Sequence, residues 1–165
     1  MPSPLIRNVA ILANIAMGAS CALASAAAAQ GSSVVIQVNG VPSSKGVVRA
    51  DVCTLDTFLK ANCPYSGVAP AVRGQTIVTV DNVPPGVYAV QVFHDRNNNG
   101  RLDRGVLGIP KESLGFSNDA PLGLHGPRFG RAAFIHGEDS HDIIINLRHF
   151  GPGYPPPEPT QETVE

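Results

Sequence analysis

Between residues 33 and 148 the chain repeats one arrangement: short apolar runs rich in Val, Ile and Thr, alternating with polar positions and punctuated by Gly, Pro and Asn. A period of two puts successive side chains on opposite faces of an extended backbone, so each run predicts a strand with one dry face. Ser33–Val38 sets Val34, Ile36 and Val38 together, and Gly46–Cys53 sets Val48, Ala50 and Val52 against Arg49 and Asp51. Gln75–Val80 places Ile77 between threonines and runs into Asp81-Asn82-Val83-Pro84-Pro85-Gly86, residues suited to a turn. Val87–His94 is the strongest strand, with Tyr88, Val90 and Val92 on one side and Val87, Ala89 and Phe93 on the other, so both faces are expected to be covered. Asp95–Gly130 is crowded with Gly, Pro and Asn and leaves room for brief strands alone. Arg131–His136 and Asp142–Arg148 restore the alternation, with Ile143, Ile145 and Leu147 pointing one way. No segment keeps a helical period over three turns. Six or seven short strands at this spacing predict an all-β domain of two packed antiparallel sheets.

The two ends break the pattern. Residues 1–30, MPSPLIRNVAILANIAMGASCALASAAAAQ, carry one cation at Arg7, then an uncharged stretch from Asn8 to Ala29 that ends in three alanines. That is the layout of a secretory signal, with cleavage expected between Ala29 and Gln30. Two other readings attach to the same segment. Its uncharged length approaches the roughly 20 residues of a membrane anchor, although its second half is mostly alanine and serine. Ala19-Ser20-Cys21 also has the small residues of a lipidated cysteine, although Gly18 stands where a leucine-like residue is usual. From Gly151 the tail GPGYPPPEPTQETVE is proline-rich and acidic at its end, holds nothing to build a core from, and is expected to be extended or disordered. The expected organisation is a signal peptide over 1–29, one β-sandwich domain over 30–150 and a tail over 151–165, in a periplasmic or secreted protein without a membrane span in the mature chain.

Charge narrows the partners. Losing Arg7 with the signal leaves 11 Lys and Arg against 13 Asp and Glu, a net charge of −2, with no run of like charge. Nucleic acid is therefore an unsuitable partner, because it demands clustered cations to neutralise phosphates. Two cysteines remain, Cys53 and Cys63, and a pair in an exported chain predicts a disulfide. Nine residues separate them, too many for the tight spacing of a C-x-x-C redox or metal pair. Closing such a loop contributes about 3 kcal/mol in the chain-entropy description.

The segments GVYAVQVFHDRNNNGRLD, LGIPKESLGFSNDA and FGRAAFIH, in this order and approximate spacing, resemble the bacterial family catalogued as domain of unknown function 2141. The resemblance covers roughly Val34 to Leu147; it departs from the family at Gly126-Pro127-Arg128-Phe129, where relatives tend to carry Gly-Pro-Pro-x-Phe. It implies an immunoglobulin-like or prealbumin-like antiparallel β-sandwich of about seven strands. It implies no catalytic residues, and sandwiches host many unrelated functions.

The residues themselves offer one candidate site. Asp95, Asn97, Asn99 and Asp103 stand at relative positions 1, 3, 5 and 9, with Gly100 at 6 and the Arg101 carbonyl at 7, which is most of a calcium loop. The twelfth position, usually a bidentate glutamate, is Val106, so a calcium ion would be held weakly unless Glu112 or Asp119 folds back. The competing reading is a metal-free turn, since Asn-Gly favours hairpins and Asx side chains satisfy turn backbones. His94, His125, His136, His141 and His149 show no recognised zinc spacing, although His136 and His141 could face one another beside Glu138, Asp139 and Asp142. Ser117 lacks the Gly-x-Ser-x-Gly elbow of a hydrolase. Phe116, Phe129 and Phe134 are expected to close the open end of the sandwich. Two functions survive: a non-catalytic envelope module binding a protein, glycan or small ligand through the Asp95–Gly130 loops, or a metal-handling or hydrolytic enzyme using His and Asp. Dispersed histidines favour the first, and histidines converging with carboxylates the second.

Overall fold

Alternation along the chain becomes eight strands among the described residues, which are 31–105, 108–122 and 126–150 of the computed structural model. Residues 1–30, where a signal peptide is expected and which include Cys21, the residues from 151 onward, Val106 and His125 lie outside them. The strands are β1 (Ser32–Val41), β2 (Val47–Cys53), β3 (Tyr65–Pro70), β4 (Gly74–Val83), β5 (Gly86–Asp95), β6 (Leu114–Phe116), β7 (Phe134–His136) and β8 (His141–Asn146). One sheet has the order β4-β1-β8 and the other β3-β2-β5-β6, with β7 also paired to β5.

Every second residue faces the space between the sheets. Val34, Ile36 and Val38 of β1, Val78 and Val80 of β4, and Ile143 and Ile145 of β8 meet Val48, Ala50 and Val52 of β2 and Tyr88, Val90 and Val92 of β5. Each large aliphatic side chain buried in this way stabilises the fold by about 1.5–3 kcal/mol. One pairing differs from the antiparallel expectation: β1 runs parallel to β8, with Ile36 opposite Ile143 and Val38 opposite Ile145. Periodicity assigns faces but not neighbours, so this pairing has no local signature. β3 was not anticipated either. It is an edge strand carrying Gly67, whose absent side chain lets the β4 backbone approach: a Cβ there would lie 2.3 Å from the Thr79 carbonyl oxygen.

The outer face of the second sheet is covered in part. Cys53, Phe58, Ala89, Leu114, Phe116 and Ala132 form a second apolar cluster beneath the long connections, so Ala89 of β5 is buried on this side as well, whereas Val87, expected to be covered with it, is 55% exposed and Phe93 is half-buried. The Cys53–Cys63 disulfide closes the connection that brings Phe58 into this cluster. Phe116 and Phe129 pack edge-on against Phe58, with centroids 5.8 and 5.7 Å away. Phe134 does not join them. It leaves for the other side of the sheet and stacks on His141 at 5.0 Å, which corrects the expectation that all three phenylalanines close one end.

One edge of β5 is shared by two short strands, β7 along Gly86–Tyr88 and β6 along Gln91–Phe93. The gap between them exposes the Val90 amide. Ser117, fully buried, fills it: its hydroxyl accepts from Val90 N at 2.9 Å and donates to the Ala132 carbonyl at 2.5 Å. Phe129–Ala132 consequently forms a helical turn where a strand from Arg131 was expected.

Candidate functional site

The outward positions of the second sheet lay out two cross-strand rows. Ser66, Asp51, Gln91 and Phe116 stand side by side in the first. Val68, Arg49, Phe93 and Leu114 form the second. Above this floor lies an open groove of about 910 Å³. One wall is the disulfide-closed loop at Leu59–Ala61, the other is formed by Gly100, Arg101, Leu102, Arg104, Gly108, Ile109 and Pro110, and Leu122 and Phe150 line the groove as well. A concave surface of this size that mixes apolar and polar side chains can hold a small ligand.

Both walls are braced from the floor. Gln91 Nε2 donates to the Lys60 carbonyl at 3.0 Å and to Asp51 Oδ2 at 3.2 Å, while its Oε1 accepts from the Leu59 amide at 3.1 Å. Arg49 Nε donates to Asp95 Oδ2 at 3.0 Å, and its Nη2 reaches Asn98 Oδ1 at 3.5 Å. Burial pushes the Asp51 carboxyl above the ordinary carboxylate value, against the Gln91 hydrogen bond and the Arg49 charge. Asp51 is the one acid among the described lining residues, whereas Arg49, Lys60, Arg101 and Arg104 are cations.

The Asp95–Asp103 loop forms the base of one wall. Asp95 is fully buried and its oxygens accept from the amides of Asn99 at 3.0 Å and Gly100 at 2.8 Å, besides Arg49. Burial alone would push its carboxyl up, but the Gly100 amide, Arg49 and the Asn99 amide together hold it below the ordinary value. Asn97 and Asn99 each close an Asx turn onto the amide two residues on, and their Nδ2 groups converge on Asp103 at 2.8 and 3.0 Å. Glu112 does fold back: its two oxygens accept from the amides of Arg96 and Asp103, each at 3.0 Å. Asp119 does not. It binds β8 instead, accepting from Asn146 N at 3.0 Å and Asn146 Nδ2 at 2.6 Å. The loop thus satisfies its backbone through its own carboxylates and carboxamides, and no group of three or more His, Cys, Asp or Glu among the described residues is arranged to hold a metal.

The histidines divide between the two ends of the sandwich. His136 stands opposite Gly86 at the start of β5 and His94 near its finish, about 26 Å apart at 3.3 Å per residue. His136 Nε2 lies 2.9 Å from Ser32 Oγ and 3.0 Å from the Val83 carbonyl, and its ring is 6.1 Å from His141. His94 Nε2 is 2.7 Å from the Lys45 carbonyl, and burial pushes its imidazole below the ordinary value despite that bond. His149 Nδ1 is 3.3 Å from Ser113 Oγ. Glu138, Asp139 and Asp142 are exposed, and the Asp139 main-chain carbonyl, not its side chain, accepts from Ser32.

Sequence reading placed Asp95, Asn97, Asn99, Arg101 and Asp103 in one loop, and the structure brings them together. It missed Lys60, Gln91, Phe93 and Arg104 as one surface. The signal within reach was the polar face of β2, where Arg49 and Asp51 stand beside positions expected to be covered.

No curated protein and no solved structure matches the chain. A family model described as an uncharacterised protein conserved in bacteria matches residues 36–144, more than half of the chain and including both the groove floor and the Asp95–Asp103 loop. The chain therefore belongs to the uncharacterised bacterial family of domain of unknown function 2141.

Proposed function

We propose that this chain is an exported, non-catalytic binding module of the bacterial envelope, periplasmic or secreted, and that the groove over the second sheet is where it binds. The observation that carries the reading is the bracing of both groove walls by Arg49 and Gln91, which holds a concave surface open. A site shaped before its ligand arrives loses less ordering entropy on binding. The Cys53–Cys63 disulfide supports export, because such bonds persist in oxidising compartments. The spread of the histidines and the commitment of the Ser117 hydroxyl to two main-chain groups favour binding over the metal-handling or hydrolytic alternative. The test is a mixed small-molecule library screened by amide chemical-shift mapping on the full mature chain. Ligands should cluster their shifts on Arg49, Asp51, Lys60 and Phe93; a cluster around His136 and His141 would favour the enzyme instead.

A second reading gives the Asp95–Asp103 loop a weak calcium ion that stabilises the fold. Its support is the spacing of Asp95, Asn97, Asn99 and Asp103, which brings four oxygen-bearing side chains into one loop. Without a twelfth-position carboxylate the affinity should be on the order of 10⁻⁴–10⁻³ M. Thermal melts in millimolar calcium and in chelator should then differ for the native chain and coincide for Asp103→Ala. Asp95→Ala is the poorer probe, since Asp95 also anchors Arg49. Identical melts for the native chain would leave a metal-free turn.

A further inference from the structure

We infer that the groove takes an anionic oligosaccharide, with its hydroxyls on the floor and its charged substituents on the two rims. This rests on the groove being the binding site. Gln91 already spends both amide protons on the Lys60 carbonyl and Asp51, and Arg49 keeps N–H donors beyond its bonds to Asp95 and Asn98, so the floor groups with acceptor capacity left are Asp51 and Ser66. An ionised carboxylate only accepts and has about four lone-pair positions, of which the Gln91 bond uses one. Asp51 therefore calls for hydroxyl or amide donors from a ligand, and Ser66, exposed one strand away, can donate or accept.

Beside this polar half of the floor Phe93 presents a half-buried ring, backed by Leu114 and Phe116, which are themselves buried. A pyranose ring matches that division, since one edge carries hydroxyls and one face carries C–H groups that pack on an aromatic surface. The rims add charge. Lys60 is exposed on one side; on the other, Arg104 is exposed and the Arg101 side chain is 80% exposed, with its nearest carboxylate, Asp103, at 3.9 Å. Contacts of that kind leave most of the charge available to a ligand. Cations on both rims concentrate field over the groove and favour an anion bridging them. A bare anion would satisfy the rims but meet the Asp51 charge with no donor to offer it. A neutral sugar would satisfy the floor and leave the rims without partners.

Three probes separate these cases on the full mature chain: trigalacturonate, the neutral maltotriose, and tripolyphosphate, which has charge but no sugar. Calorimetry gives affinity at low and high salt, and amide shift mapping gives location. Trigalacturonate should bind in the groove about tenfold or more tighter than either control at low salt, and weaken as salt rises. Lys60→Glu and Arg101→Glu should each lower that affinity about tenfold or more with the fold intact by circular dichroism, and Arg104 is left in place because it donates to the Gly108 carbonyl at 3.0 Å. Equal binding of maltotriose at the groove overturns the assignment of charge, and equal binding of tripolyphosphate overturns the sugar; both leave the groove as a binding site. Trigalacturonate shifts that map elsewhere, or no binding of any of the three, overturn the inference, while the groove stands or falls by its own library screen.

Discussion

Replacing Ser117 by alanine isolates the join between the two short strands on β5. The hydroxyl accepts from Val90 N and donates to the Ala132 carbonyl, and both residues are fully buried. Removing it strands a main-chain donor and a main-chain acceptor at once, with no room for a replacing side chain. An unsatisfied buried polar group costs about 1–3 kcal/mol, so the pair should cost about 2–6 kcal/mol. For a domain of this size about 1 kcal/mol moves the melting temperature by about 4 °C, which predicts a fall of about 8–24 °C. The chain has no tryptophan, so urea unfolding is best followed by circular dichroism. The midpoint should drop while the slope stays constant, because the surface exposed on unfolding hardly changes. A loss below about 0.5 kcal/mol would refute the reasoning, since it would mean that the gap is closed by something other than this hydroxyl. A Ser117 acting as a nucleophile carries no such expectation, so the same variant separates the structural role from a hydrolytic one.

Thiol labelling of native, unreduced protein should find Cys53 and Cys63 protected, and reduction should lower stability by about 3 kcal/mol; two free thiols would contradict the pairing. Arg49→Ala should cost about 3 kcal/mol in denaturant unfolding, because Asp95 stays buried with its charge partner gone; a cost below about 0.5 kcal/mol would show that the two amides suffice. Acidification should destabilise the fold through His94. Its folded value lies below the unfolded one, so the unfolded chain takes up the proton first. Stability then holds above about pH 6.5, falls as pH drops through the window between the two values, and should fall less steeply in His94→Gln. His149, also pushed down by burial and by Arg96, adds to the loss with the same sign.

What the sequence made legible is what depends on neighbours along the chain. Alternation of valines placed β1, β2, β4 and β5 and assigned the inner faces of β1, β2 and β5, because facing is a period-two property of one strand; on β4 the residue singled out, Ile77, is half-exposed and Val78 and Val80 face inward. The Asx loop was legible for the same reason: its bonds run from a side chain to an amide two to five residues on. β3 escaped because Gly67 and Pro70 dilute its propensity, and what defines it is the approach of Thr79 across the sandwich. The groove escaped because it is a product of register. Arg49 stands beside Phe93, and Asp51 beside Gln91, through pairings that span some 40 positions and leave no trace in local composition. Ser117 lies on the same side of that line, since its partners are 27 and 15 residues away.

The parallel pairing of β1 with β8 bears on when the protein can fold. β1 is the middle strand of its sheet, yet one of its neighbours, β8, is the last strand described. Val34 meets His141 and Asn39 meets Asn146, each pair more than 100 residues apart. Until that closing segment has emerged, the middle strand keeps one edge open and its apolar face only partly covered. Loop closure over so long a span must precede any gain from it, so the topology belongs to the slower, millisecond-to-second class. The sheet around β1 is therefore completed only once the segment carrying β8 has been made. The same delay leaves β1 exposed to strand-to-strand association between copies, and its first protection is the antiparallel pairing with β4.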